Sequence, residues 1–231
     1  MKNYNKCCIL LLFLFMGGTS QATVVALETF EGGANGWLDR DSVAPTEHAS
    51  GGHDGGAYIS YTGEIATNTA SFGSALIQFR CQNTACVNGN TFMGDWISED
   101  VTTLSYWFKH DSDISLEAYV RIGSSAGGAA SWLSGVLMPP DTWYQLVLQI
   151  DDPSIFDPGF GGKTYNHIFT QVGKLQPGIF FAEPVVYTES AVTFSIDDVQ
   201  LNAVPIPAAV WLFASGLAML GFTRRKKILT S

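Results

Sequence analysis

Residues 101–109 read VTTLSYWFK and residues 115–122 read SLEAYVRI. Apolar and polar side chains alternate through both runs, and β-branched and aromatic residues dominate them. A period of two puts successive side chains on opposite faces of an extended chain, the signature of a half-buried strand. A polar turn, residues 110–113, separates the two runs, so they are expected to form the clearest strand pair of the chain.

Working outward from this pair, similar runs recur at residues 24–30, 57–62, 75–79, 132–137, 143–150, 178–181 and 192–201. Gly, Asn and Asp lie between them. Residues 151–153 and 157–159 read as turns, residues 123–128 (GSSAGG) as a flexible loop, and residues 166–172 as one short helix. About nine strands with turn signals between them predict an all-β domain, a single sandwich or jelly roll over residues 23–203. No repeat or second domain is evident.

Composition agrees. The 231 residues are 13% aromatic and 14% charged, which excludes both a disordered chain and a helical bundle. The formal charge is −9. Six of the 12 basic residues lie at the two ends, whereas all 21 acidic residues fall between Glu28 and Asp198, so the central stretch carries −15. Such a surface repels polyanions and argues against nucleic acid as a partner. It can also supply carboxylates for Ca²⁺, which takes oxygen ligands.

The ends read differently. Lys2 and Lys6 precede ten apolar residues, 7–16, and small residues run to Ala22. This is the layout of a secretory signal peptide over residues 1–22, with cleavage before Thr23. In the oxidising compartment that follows, Cys81 and Cys86 are expected to form a disulfide closing a small loop. At the other end Val204, Pro205, Ile206 and Pro207 precede an apolar run, 208–223, followed by Arg224, Arg225, Lys226 and Lys227. Sixteen helical residues span roughly 24 Å, short for a bilayer, and the basic cluster is expected to stay cytoplasmic.

This tail, residues 204–231, resembles the PEP-CTERM sorting domain: a proline motif, a transmembrane segment and a basic end. Ile206 stands where the name-giving motif has Glu. The resemblance implies export through a signal peptide and transient anchoring in the inner membrane. It implies processing by exosortase, and a final place at the surface or in the extracellular matrix of a Gram-negative cell that makes exopolysaccharide.

A second resemblance concerns the middle. Phe30-Glu31-Gly32 with Gly36-Trp37 is similar to the opening of many carbohydrate-binding-module jelly rolls, and residues 194–201 (FSIDDVQL) to their last strand. Residues 55–58 and 92–95 resemble laminin-B-like and galactose-binding-like domains. In such jelly rolls one structural Ca²⁺ often sits where the first and last strands meet. The resemblance therefore implies a calcium site at Glu31, Asp197 and Asp198, completed by loop carbonyls near Gly52 to Gly55.

Sugar binding needs ring faces flanked by polar groups. Trp96, Trp132, Tyr58 and Tyr61 are the candidates; Trp37, Trp107 and Trp143 sit in apolar strand patterns and are expected in the core. Catalysis finds little support. The chain contains no HExxH, its one GxSxG match, residues 123–127 (GSSAG), lies in the stretch read as a flexible loop, and His48, His53, His110 and His167 all lie in polar or turn-like segments. His48 and His53 with Asp54 match neither a helix face nor alternate strand positions, so a solvated loop is expected there. The sequence thus points to a non-catalytic surface or biofilm protein associated with exopolysaccharide. The rivals are a structural matrix protein or adhesin without a sugar ligand, and a polysaccharide-degrading enzyme.

Overall fold

Along residues 101–110 the alternation resolves into two faces: Leu104, Tyr106, Phe108 and His110 are buried, while Thr103, Trp107 and Lys109 are half-buried on the other side. A computed structural model of the chain describes residues 23–63, 75–77, 79–82, 92–180 and 191–203. They belong to one compact unit, Ala22–Val204. In chain order its strands are β1 (Thr23–Glu28), β2 (Leu38–Asp39), β3 (Thr46–His48), β4 (Tyr58–Gly63), β5 (Ala75–Ile77), β6 (Phe79–Gln82), β7 (Val101–His110), β8 (Leu116–Ser124), β9 (Ala129–Met138), β10 (Tyr144–Gln149) and β11 (Asp157–Phe160). A helix, α1 (Tyr165–Phe169), and the strands β12 (Val172–Phe180) and β13 (Val192–Ala203) complete it.

The strands make two antiparallel sheets. The first has the order β10-β7-β13-β4-β3, with β1 also paired to β13. The second has the order β11-β9-β8-β12-β6-β2, with β5 also paired to β12. Ile59, Leu104, Tyr106, Phe108 and Ile196 of the first sheet join Phe79, Leu116, Val120, Ile122 and Leu175 of the second in one core. Inward faces sharing a core make this a β-sandwich. Aromatic rings fill much of it. Trp37 takes Phe30 and Phe92 edge-on, each at 6.0 Å, and Phe108 packs against Phe194 at 6.2 Å. Dispersion over such large side chains supplies much of the stabilisation.

Several expectations need correcting. The runs 101–109 and 115–122 are both strands but do not pair. β7 lies between β10 and β13 in one sheet, and β8 between β9 and β12 in the other. The turn between them crosses from sheet to sheet and is anchored at the sandwich rim. Ser112 is fully buried, Asp111 Oδ1 accepts from the Thr193 amide, and His110 Nε2 lies 2.9 Å from the Met138 carbonyl. A five-residue polar link satisfies a hairpin and a crossover equally well, so local pattern cannot separate them.

The helix starts and ends earlier than residues 166–172. Thr164 caps it through the His167 amide, and Val172 already belongs to β12, where a buried β-branched residue fits a pleated surface. Residues 157–159, read as a turn, open β11 against β9. Residues 123–128 are not a loose loop. The Ser124 amide donates to the Gly128 carbonyl at 3.0 Å, and Gly127 and Gly128 supply the positive φ that closes the β8–β9 hairpin. His110, expected in a polar turn, is 2% exposed.

The expected signal peptide, the tail from Val204 onward and Cys86 lie outside the described residues. Cys81 is fully buried in β6. Among the described residues no helix is long and apolar enough to cross a membrane.

Candidate functional site

β13 is the strand on which the site is built. Its residues 192–196 pair with β4 and its residues 199–203 with β1, so one edge is shared end to end by two strands. On the other edge the register against β7 shifts between Asp197, opposite Trp107, and Gln200, opposite Ser105. Asp198 takes a φ of +44° in this irregularity. A bulge leaves a residue without a regular partner and re-aims its side chain. Here it brings two consecutive carboxylates to one place.

The β3–β4 connection folds against them. Its turn closes through Gly51 N–H to the Gly55 carbonyl at 3.2 Å and Gly52 N–H to the Gly56 carbonyl at 2.9 Å. Asp197, 1% exposed, accepts from the His53 amide on Oδ2 at 2.9 Å and from the Asp198 amide on Oδ1 at 2.8 Å. His53 Nδ1 lies 3.2 Å from Asp197 Oδ2 and 3.5 Å from Asp198 Oδ2. Glu31 reaches the same connection, accepting from the Ala57 amide at 2.9 Å. The turn carrying Glu31 is pinned from below. Buried Glu28 accepts from the Phe30 amide and from Asn35 Nδ2, and Glu47 accepts from the Ala34 amide.

The chemistry of this cluster is that of concentrated negative charge. Burial pushes the Asp198 carboxyl up, and Asp197, then Asp54 and Glu31, push it further, while His53 opposes them. Among the described residues no lysine or arginine pairs with these carboxylates. Gly52 marks a small cradle beside them. A Cβ there would collide with Asp197 Oδ2 and lie 3.0 Å from the Gly56 carbonyl and 3.1 Å from that of Ala57. Carboxylate and carbonyl oxygens converging on one small space are the donor set that a hard divalent cation needs. The carbonyls come from Gly56 and Ala57, just past the stretch expected to provide them.

The outer face of the same sheet carries a group of rings. His48 stacks on Tyr58, centroids 4.2 Å apart and planes 5° from parallel. Tyr58 meets Trp143 nearly at a right angle, 5.5 Å away. Lys109 Nζ sits over both, 5.3 Å from the Tyr58 centroid and 4.7 Å from that of Trp143. Trp107 is covered on one side by His53, and Trp143 Nε1 donates to the Gly51 carbonyl at 3.3 Å. The loop that borders the carboxylates thus also borders the rings.

The four aromatic candidates divide. Tyr58 lies on this outer face. Trp96 is 1% exposed, packs on Phe169 and donates its indole N–H to the Phe92 carbonyl. It offers no face to a ligand. Tyr61 points inward and donates to Asp41 Oδ2 at 3.1 Å. Trp132 packs against the core. Conversely, Trp107 and Trp143, expected in the core, are half-buried on the outer face, and Trp37 alone of those three is fully buried. A signal for Trp107 was present: it falls out of phase with Leu104, Tyr106 and Phe108. His48 and His53 are not in a solvated loop. His48 lies in β3 with Nε2 2.8 Å from Ser60 Oγ, and His53 joins Asp197 and Asp198. Ser60, the partner of His48, is 5% exposed.

The outer face of the second sheet is polar. Arg121 Nη1 donates to Gln176 Oε1 at 2.9 Å, and the Tyr119 hydroxyl lies 2.9 Å from Ser131 Oγ.

No protein-family model matches the sequence, and no curated protein matches it. Solved structures similar to the chain include the CBM22-1 xylan-binding domain of Paenibacillus barcinonensis Xyn10C, with TM-score 0.47, 16% identity, and coverage of 81% of this chain and 98% of that one. The C-terminal family 22 carbohydrate-binding module of Clostridium thermocellum Xyn10B is similar at TM-score 0.45 and 12% identity, covering 79% of this chain and 95% of that one. So is the L4b domain of human laminin alpha-2, at TM-score 0.46 and 7% identity, covering 78% of this chain and 98% of that one.

Proposed function

We propose that this chain is an exported, non-catalytic β-sandwich protein that associates with exopolysaccharide at the surface or in the matrix of a Gram-negative cell. Residues 1–22 direct export, and the 204–231 tail presents Val204 to Pro207 to exosortase. The observation that carries the binding part is the ring group of Tyr58, Trp107 and Trp143. It sits on a solvent-facing sheet where core packing does not require it. Rings that keep part of their surface in contact with water, beside hydrogen-bonding side chains, suit a sugar, which is apolar on its C–H faces and polar at its rim.

A structural Ca²⁺ belongs to the proposal. Asp197 and Glu31 would hold it with the carbonyls of Gly56 and Ala57, and Asp198 would add charge at its edge. The ion would neutralise the cluster and tie the turn after β1 to β13. Its role is structural, and no step of recognition is assigned to it.

A glycan screen of the secreted protein, with and without Ca²⁺, tests the binding reading. Saturable binding to a polysaccharide class is expected; absence of binding to every glycan would leave only a structural role. Mass spectrometry of the same material tests the sorting reading. A first residue of Thr23 and loss of the segment after Pro207 are expected, and an intact C-terminus would refute exosortase processing. One feature favours the structural matrix alternative. Leu133, Val136 and Leu137 of β9 are 41%, 59% and 58% exposed, a surface suited to protein contact.

A further inference from the structure

The pairing of five strands lays out the first sheet's outer face in rows. Thr46, Ser60, Ser195 and Lys109 form one row, each opposite the next. His48 and Tyr58 lie opposite each other in the next row, as do Asp197, Trp107 and Gln145. Small hydroxyl side chains thus fill one row, and rings stand in the next. The same face continues as Thr62 and Thr193 towards one end of β13 and as Thr103 and Asn202 towards the other. The rings lie between these two stretches, beside the 51–57 loop.

Resting on the glycan-binding reading above, we infer that Tyr58, Trp143 and Lys109, flanked by Trp107 and His48, form the binding site, and that its ligand is a neutral polysaccharide. Tyr58 and Trp143 make two walls of a corner, 84° apart. A pyranose can lay its C–H face on one wall and meet the edge of the other. The corner is filled by the Lys109 ammonium, at the end of a flexible stem, and among the described residues Lys109 makes no ion pair. Swung aside, it keeps its donors and offers them to sugar hydroxyls. Gln145, exposed beside Trp107, and His48 add further polar groups at the rim.

Charge selects the ligand class. The central stretch carries −15. Asp197, Asp198, Asp54 and Glu31 crowd behind the His53 ring that covers Trp107. One lysine does not offset that field for a chain bearing a carboxylate on every residue. A neutral glycan is indifferent to it.

The test uses the full chain in a detergent without a sugar headgroup, since a glycoside headgroup would itself compete. Affinity electrophoresis in gels containing xylan, glucomannan, hydroxyethylcellulose or alginate separates neutral from acidic ligands, and tryptophan emission reports contact with the rings. Retardation by at least one neutral gel, none by alginate, and a shift in emission are expected. Trp143→Ala and Tyr58→Ala should each weaken binding about tenfold, while Arg121→Gln on the opposite sheet leaves it unchanged. Thermal melts of all three variants close to that of the parent chain show that they fold. Neutral binding that survives both Trp143→Ala and Tyr58→Ala, or is lost in Arg121→Gln, overturns the site and leaves the glycan reading standing. Retardation by alginate alone overturns the ligand class. No retardation in any gel overturns the site together with the reading on which it rests.

Discussion

The imidazole of His53 lies almost flat on the indole of Trp107, centroids 4.3 Å apart and planes 17° from parallel. The same imidazole faces Asp197 through Nδ1, at 3.2 Å. Trp107 and Asp197 are themselves opposite each other on neighbouring strands. One loop residue therefore touches both the ring face and the carboxylate cluster.

Addition of Ca²⁺ should raise the melting temperature of the protein, and EGTA should lower it again. A cation bound only by the folded chain stabilises it by about 2.7 kcal/mol at a hundred times its dissociation constant. For a domain of this size that is roughly 5–10 °C. Tryptophan emission should change in the same titration, because His53 covers Trp107. Identical melts in Ca²⁺ and EGTA would remove the cation from the account.

Replacement of Gly52 by alanine is the sharpest probe of the cradle. The added methyl meets two backbone carbonyl oxygens and Asp197 Oδ2, whose buried side chain is held by the His53 and Asp198 amides. A cost of about 1–3 kcal/mol is expected, together with loss of the Ca²⁺ response. A Gly52→Ala protein that melts like the parent and still responds to Ca²⁺ would show that the oxygens do not converge there.

His110 should make the domain sensitive to mild acid. Burial lowers its pKa below the usual 6.5, outweighing the Met138 carbonyl and the nearby Asp111 and Asp141, which favour the charged ring. Its Nε2 faces a carbonyl, so the neutral ring carries its proton there, and Nδ1 is buried with no partner among the described residues. The unfolded chain takes up a proton near pH 6.5 while the folded chain resists it. Stability from this residue is therefore complete above pH 6.5 and is lost as the pH falls from there towards the folded value. Glu28 and Asp198 act in the opposite sense. Burial raises both, so acidification through the window above their ordinary values relieves a penalty. Melts between pH 7.5 and 5.5 should fall more steeply for the parent than for His110→Gln, and parallel curves would refute the assignment.

Tyr106 buries a hydroxyl that has no hydrogen-bond partner among the described residues, and burial drives its pKa far up. Removing the oxygen removes a desolvation cost without breaking a bond. Tyr106→Phe should leave stability unchanged or raise it by about 1 kcal/mol. Destabilisation by more than that in urea titrations would mean the hydroxyl is satisfied.

The strands that sequence reveals are the long, alternating ones. β7 and β13 run for 10 and 12 residues, enough periods for the phase to be read. β2 and β3 have two and three residues, and no period exists in so short a run. Which strands pair is a separate question, and β7 with β8 shows why: alternation states that each has a buried face, not that they share a sheet. At the site, Asp197 and Asp198 were legible through the resemblance of residues 194–201 (FSIDDVQL) to a jelly-roll last strand. His53 did not, because its partner is 144 positions away and only the folded turn brings them together. Trp96 and Tyr61 were misjudged by their polar neighbours, when each ring had a buried place and a partner for its polar atom. Trp107 was misjudged against its own phase.

The pairing of Thr23 with Ala203 places the first and last residues of β1 and β13 directly opposite each other. The chain therefore leaves the sandwich about 5 Å from where it enters. The domain therefore adds almost no length to a path that passes through both of its ends. A pull applied across those two ends would peel β1 from β13 one hydrogen bond at a time, beginning at that pair. A pull through one end alone would leave the pair unloaded. Held by a single tether, the domain hangs from the line rather than forming part of it.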